Sequence, residues 1–275
     1  MQAELSRRAL LAIPPALAAS SLSACGREDA GPPLALDAAL PQEVPAGTVL
    51  VVGDPQTQIA LELSGLIDEL TFEVRFVNIS GGPKTQEAFR AGALDLGAVA
   101  DIPPLQANWT GLPSRIVAAS YRVDPLDHPI YDLGVAPGVE VTELSDLHGK
   151  RIAFSPGQAQ GALILRVLDK AGLTQDDVEL VELPATGDAY ANALGGGEVD
   201  VAPIGGTQVR SYLNKFAPDG ASALPHGLRD DPWLLYTENA TLEDAHRAAA
   251  IAEYVSLWGV AKRWSWEHRE EWIRG

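Results

Sequence analysis

The sequence predicts an α/β protein of two similar lobes, each a mostly parallel sheet flanked by helices. Three observations carry that expectation. From Thr48 onward, short apolar strands alternate with segments of helical period, the pattern of parallel sheets covered on both faces. Gln58-Ile59-Ala60-Leu61 is echoed by Gln160-Gly161-Ala162-Leu163, and Gly92-Ala93-Leu94-Asp95-Leu96 by Gly197-Glu198-Val199-Asp200-Val201, at offsets of 102 and 105 residues. Each member of the first pair opens a helix after a strand. The 251 residues that follow residue 24 are enough for two medium lobes with proper cores.

The elements are expected in this order. Thr48–Val52 is a strand ended by Gly53-Asp54-Pro55, and Gln58–Leu70 has helical spacing. Phe72, Val74 and Phe76 alternate with Glu73 and Arg75, which is strand period. Pro83 stands where a helix over Lys84–Ala91 begins. Leu94–Ala100 and Arg115–Tyr121 read as strands. The second rhythm runs through strand Asp132–Ala136, a short helix Thr142–Leu147, strand Arg151–Ser155 and helix Gln160–Ala171, closed by Gly172. Strand Val178–Leu183, helix Asp188–Leu194, strand Val199–Ile204 and helix Thr207–Phe216 complete it. After a loop at Ala217–Pro232, Trp233–Thr237 is extended and a long helical stretch starts at Leu242. These limits give lobe 1 as 47–128, lobe 2 as 129–232 and a return to lobe 1 over 233–275.

The N-terminal region reads differently. Ser6-Arg7-Arg8 precedes an apolar run from Ala9 to Leu22, which ends in Leu22-Ser23-Ala24-Cys25. The run is too short, and too rich in Ala, Ser and Pro, to span a bilayer of ~30 Å. It has the build of an export signal over residues 1–24. Its end resembles a bacterial lipobox, which implies lipidation of Cys25, the chain's sole cysteine. The Arg pair also resembles a twin-arginine signal, although Leu11 stands where a polar residue is usual. Residues 25–46, rich in Pro, Ala and acids, are then expected to be a lipidated flexible linker. The protein is expected outside the cytoplasm, on the outer face of the cell membrane or in the periplasm.

A formal charge of −17 argues against nucleic acid, which is bound through Lys and Arg. The five histidines show no metal-ligand spacing, and no cofactor is expected. In open α/β sheets, ligands gather beyond the carboxyl ends of strands. The polar residues expected there are Gln56, Thr57, Gln58, Ser80, Asp101, Arg122, Ser155, Gln158, Gln160, Thr186 and Thr207. Several sit at helix starts, where free N–H groups suit an oxyanion. Gly81, Gly82, Gly157, Gly205 and Gly206 would let backbone amides approach a ligand. The same residue types also serve as ordinary caps and turns. Arg122 could clamp an anion, or pair at the surface with Asp124 or Asp127. Tyr121 and Trp109 could wall a pocket or pack at its rim.

The segment Glu87-Ala88-Phe89-Arg90-Ala91-Gly92-Ala93-Leu94-Asp95-Leu96-Gly97, with Ala100-Asp101-Ile102-Pro103-Pro104 after it, resembles the substrate-binding components of ABC importers for aliphatic sulfonates, taurine and nitrate. So do Leu144–Phe154, Leu163–Leu173 and Gly197–Asp200, in the same order. The resemblance covers roughly Thr48–Ile273. It implies a periplasmic-binding-protein-like fold whose lobes close on a hinge around a small organic anion, sulfonate-like above all. It implies a permease, and through it an ATPase, as partners, and no catalysis. The alternative is an enzyme on the same fold, a desulfinase or a pyrimidine-precursor synthase, which is expected to need a reactive cysteine or metal-bound histidine. Ala202-Pro203-Ile204-Gly205-Gly206 departs from the aromatic residue many sulfonate-type members carry there. The family usually continues well past a Glu-Trp like Glu271-Trp272, so the resemblance implies that part of the first lobe is missing.

Overall fold

The computed structural model describes residues 30–79, 81–185 and 187–274. The export signal, Cys25, Ser80 and Thr186 lie outside the described residues, as does the Thr207 side chain. The chain opens with β1 (Val49–Gly53), α1 (Pro55–Ser64), β2 (Glu73–Phe76), α2 (Gly82–Arg90), β3 (Leu96–Val99), α3 (Ile102–Trp109) and β4 (Ser114–Ser120). Next come β5 (Tyr131–Val135), β6 (Arg151–Phe154), α4 (Ala159–Ala171), β7 (Glu179–Glu182), α5 (Ala189–Gly195), β8 (Val201–Gly205), α6 (Gly206–Phe216) and β9 (Ser222–Leu224). It ends with β10 (Trp233–Glu238), α7 (Asn239–Leu242), α8 (Ala245–Glu267) and α9 (Arg269–Arg274).

Two five-stranded sheets result, with orders β2-β1-β3-β10-β4 and β7-β6-β8-β5-β9. The orders are equivalent strand for strand. In each, three neighbours pair in parallel, and a fourth strand runs against both of its partners. The sheets are therefore mixed, with β10 and β5 as the reversed strands. Period-two alternation sends Leu50 and Val52 to a core under α1 and α8, with Tyr254 and Trp258. Val51 turns to the opposite core, with Phe89, Val99, Ala107 and Tyr236 under α2 and α3. The second sheet packs α4 on one face through Leu163, Ile164 and Val167. It packs α5 and α6 on the other through Tyr190, Leu194 and Tyr212.

The echoed Leu-Asp and Val-Asp have a structural cause. Asp95 accepts the Val51 N–H at 2.8 Å and returns its own N–H to the Val51 carbonyl at 2.9 Å. Asp200 does the same with Arg151, at 2.8 Å in both directions. Asp95 thus ties the start of β3 to β1, and Asp200 ties the start of β8 to β6.

Several boundaries differ from the sequence expectation. The helix expected over Gln58–Leu70 starts at Pro55 and stops at Ser64, because Gly65 adopts φ 74° and a 3₁₀ turn follows. α3 was not anticipated. Its Pro103 and Pro104 fall in the first turn, where a missing N–H costs nothing. β9 lies within the expected loop 217–232. Within the expected flexible linker, residues 31–34 are bonded to the start of α8. Gly31 donates to Asp244 at 2.7 Å, Leu34 to the Glu243 carbonyl at 2.6 Å, and Ala245 to Pro32 at 3.0 Å.

The chain crosses between the sheets twice, after β4 and before β10. Asp230 and Asp231 fasten the two crossings together. Asp230 accepts N–H groups from Ile130 at 2.9 Å and Tyr131 at 2.7 Å, and Asp231 accepts the Arg122 N–H at 2.8 Å. Burial would raise the Asp230 pKa, but hydrogen bonds from His226 and from those two amides hold it below the ordinary value. The Arg229 guanidinium, at 2.7 Å, does the same for Asp231. His226 accepts the Leu228 N–H on Nδ1 at 3.1 Å, which leaves Nε2 as the donor to the Tyr131 carbonyl at 2.9 Å.

Candidate functional site: a cleft between the lobes

Where the lobes face each other, a cleft of about 560 Å³ opens, a size suited to a small ligand. One wall is Gly81, Pro83 and Lys84 at the start of α2. The other is Ser155, Pro156 and Gln158 at the start of α4, with Glu182 at the end of β7 and Leu183–Ala185 after it. Neither helix start has a side-chain cap. Pro83 has no N–H, so Gly82 and Lys84 supply the free donors of α2. Ala159, Gln160 and Gly161 supply those of α4, since the Ala162 N–H returns to Gln158 at 3.1 Å. Two positive helix ends and the Lys84 ammonium therefore meet at one place, the arrangement that holds an oxyanion.

Two glycines make the α4 wall possible. Gly157 has φ 69°, and a Cβ on it would stand 3.2 Å from the Gln106 side chain of α3, in the other lobe. On Gly161 a Cβ would stand 2.1 Å from the Ser155 carbonyl oxygen, so α4 could not sit so close under the turn. Behind the wall, Tyr190 is 4 % exposed and its hydroxyl has no hydrogen-bond partner of ordinary geometry among the described residues. Burial raises its pKa to about 12, and the neighbouring Ser155 hydroxyl opposes that shift.

At the seam beside the cleft lies a cavity of about 30 Å³, lined by Asp101, Ile102, Tyr131, Ala159, Ala162, Leu163, Arg166 and Asp230. It brings the start of α3 against α4. Burial raises the Asp101 pKa; backbone N–H groups and Arg166 oppose the rise, and Asp230 adds to it. No group of three or more His, Cys, Asp or Glu among the described residues is placed to hold a metal ion.

The family model described as NMT1/THI5 like matches residues 69–217, more than half of the chain and most of both cleft walls. The chain belongs to the NMT1/THI5-like family. A protein of Escherichia coli (strain K12), named as a candidate aliphatic sulfonates-binding protein, is 33 % identical over 132 residues, covering 48 % of this chain and 40 % of that one. The match thus spans well under half the length of that curated relative. Among solved structures, the periplasmic aliphatic sulphonate binding protein SsuA of Escherichia coli superposes with a TM-score of 0.67 at 23 % identity, over 84 % of this chain and 77 % of that one. The alkanesulfonate-binding protein SsuA of Xanthomonas axonopodis pv. citri, bound to MOPS, gives 0.65 at 22 % identity, over 86 % and 78 %. A mutant of DSZB in complex with biphenyl-2-sulfinic acid gives 0.57 at 16 % identity, over 82 % and 78 %. These likenesses establish the two-lobe fold.

In this family member, the sequence-derived candidates divide into three groups. Gly81, Ser155 and Gln158 line the cleft, and Gly82 and Gly157 are chain neighbours of lining residues. Gln160 lies in the first turn of α4. Asp101 sits in the seam cavity. The rest lie apart from the cleft lining. Gln58 donates to Glu62 on its own helix at 2.8 Å, Gln56 is exposed, and Thr57 is buried beneath Asp54. The Arg122 guanidinium donates to the carbonyls of His128 at 2.7 Å and Pro129 at 3.1 Å, bracing the first crossing rather than facing the cleft. Tyr121 lies under the Arg229 guanidinium at 5.4 Å, and Trp109 is 89 % exposed. Gly206 donates to Ile130 at 3.1 Å, which draws Gly205-Gly206 toward the first crossing.

Sequence reading missed Lys84 and Glu182. Lys84 had a signal, since it follows the proline that starts α2. Glu182 had none, because a charge at a strand end ordinarily marks a solvated edge.

Proposed function

We propose that this protein is the solute-binding component of an ABC importer, capturing a small sulfonate-type organic anion between its lobes and delivering it to a membrane permease. The observation that carries this reading is the convergence of two uncapped helix starts and Lys84 on one cleft. Ser155, Gln158, Gln160, Gly81 and Gly157 are the groups we assign to the ligand from the sequence-derived set, with the hinge at the two crossings. The sulfonate-binding names of the relatives favour this anion class. A binding role fits better than catalysis, because the chain's sole cysteine is Cys25, within the lipobox-like segment. We further infer lipid anchoring there, with export.

Calorimetry of the purified protein with ethanesulfonate tests the reading. Saturable one-site binding in the micromolar range is expected, together with a rise in melting temperature. No heat and no stabilisation at millimolar ligand would refute it. Expressed with its leader, Cys25→Ser should leave the membrane fraction, and retention there would refute the anchor.

A further inference from the structure

Lobe 2 buries two tyrosines in one apolar cluster, Tyr190 and Tyr212, and uses their hydroxyls differently. Tyr212 donates to the Val135 carbonyl at 2.7 Å. Tyr190, the second residue of α5, finds no hydrogen-bond partner of ordinary geometry among the described residues. A buried hydroxyl left in that state opposes folding, and a phenylalanine would pack without it. The position of Tyr190 sets it apart. Ala153 belongs to the same cluster, Leu183 and Ala185 pack against it, and Ser155 follows Ala153 by the strand period of two. Ser155, Leu183 and Ala185 all line the cleft. The Ser155 hydroxyl is the group that opposes the rise in the Tyr190 pKa, and Tyr190 in turn pushes up that of Tyr131, on the seam cavity. The phenol therefore ends beneath Ser155, on the side of lobe 2 that faces lobe 1. The other buried tyrosine hydroxyls without a partner, those of Tyr236 and Tyr254, lie near Arg90 and Asp54 instead.

We propose that Tyr190 is a positioning residue for the ligand: on binding, its hydroxyl donates to the Ser155 oxygen, so that the Ser155 proton is turned to the bound anion. This rests on the reading of the cleft as an anion-binding site, and it holds for any oxyanion seated there. A serine hydroxyl has one proton and two lone pairs and rotates to suit, so it accepts from the tyrosine and donates to the ligand at once. Hydrogen bonds in such a chain polarise one another, and the bond to a charged acceptor is the strongest of them. Seating the anion draws the Ser155 proton toward the cleft and leaves its oxygen to the tyrosine. Tyr190 makes no contact with the ligand, because its hydroxyl is buried behind the wall. The same hydroxyl thus lowers stability while the cleft is empty and adds affinity once it is filled.

Calorimetry with ethanesulfonate and thermal melting, on the wild type, Tyr190→Phe, Ser155→Ala and the double variant, test the proposal. Tyr190→Phe should melt at or above the wild-type temperature, yet bind ethanesulfonate roughly three- to tenfold more weakly. Ser155→Ala should weaken binding roughly tenfold, and adding Tyr190→Phe to it should weaken it no further, as for two groups that act as one unit. If either single variant binds as the wild type does, the proposal is overturned, while the site reading stands on the wild-type binding. If the two losses add in full, Tyr190 does not act through Ser155, and the proposal falls. If Tyr190→Phe melts well below the wild type, its hydroxyl already holds the ligand-free fold together, which overturns the proposal as well. No binding by the wild type would refute the site reading and this proposal with it.

Discussion

At the start of α1, Asp54 accepts the Thr57 N–H at 3.2 Å and the Trp258 indole N–H at 2.8 Å. At the equivalent start of α4, no side chain caps the helix, and Ser155, Pro156 and Gln158 face the cleft. The two turns follow equivalent strands and lead into equivalent helices. The difference comes from α8, which the returning chain lays against α1. Trp258 projects from it, packs in the core and occupies the Asp54 carboxylate. Duplicated topology therefore does not duplicate a binding turn. One copy is closed by its own lobe, and the other keeps its donors for something else.

The paired aspartates differ in the same sense. Asp95 is 3 % exposed and faces the buried Arg247, whereas Asp200 pairs with a half-exposed Arg151. Removing the Asp95 carboxylate leaves the Val51 N–H without its acceptor and Arg247 with Asp244 alone, at a cost of about 2–3 kcal/mol. Truncating a partly exposed pair costs about 1 kcal/mol. Urea unfolding should thus find Asp95→Ala far more damaging than Asp200→Ala. Equal losses would mean that the two lobes are held alike.

The next contrast concerns the turns themselves. Asp54→Ala removes a cap and a buried acceptor, and should lower stability by about 1–2 kcal/mol with ligand affinity unchanged. Gln158→Ala should do the reverse, weakening ethanesulfonate roughly tenfold while the melting temperature holds. If Asp54→Ala costs affinity at a temperature where the protein is folded, both turns serve the ligand and the contrast fails.

The smallest expected effect separates the seam from the crossings by pH. Asp230 and Asp231 are held below the ordinary aspartate value of 3.8, so their stabilisation is present above that value and is lost as pH falls through their lowered values. Asp101 is raised by burial, so its contribution is present below 3.8 and is lost as pH rises through its raised value. Asp101→Asn should remove that second, rising-pH loss and leave the acid loss intact. A profile unchanged above pH 3.8 would show that closing the seam does not desolvate Asp101.

The repeat was legible because strand and helix periods, and the Asp95 and Asp200 echoes, are local in the chain. The α4 wall was legible for the same reason, since Gly157, Gln158 and Ser155 sit in one strand-to-helix turn. What could not be read was set by segments far apart. Nothing near Gln56–Gln58 announces that Trp258 covers that turn, about two hundred residues on. Nothing near Arg122 shows that its partners are the carbonyls of its own crossing. Pro103-Pro104 reads as a break when helix starts and breaks share a residue, and β9 is too short to show a period.

Asp244 links the N-terminal segment to α8. Its carboxylate caps α8 through His246 and Arg247, and the same group holds Gly31. The segment 31–34 runs antiparallel beside it, with a bridge between Pro33 and Asp244. A pull transmitted along the N-terminal segment would therefore load the cap of α8, in the lobe whose equivalent turn is closed. Lobe 2, with the open turn, is joined to lobe 1 by the two crossings and meets it at the seam of α3 and α4. Such a load would restrain lobe 1 and leave lobe 2 to turn about the crossings.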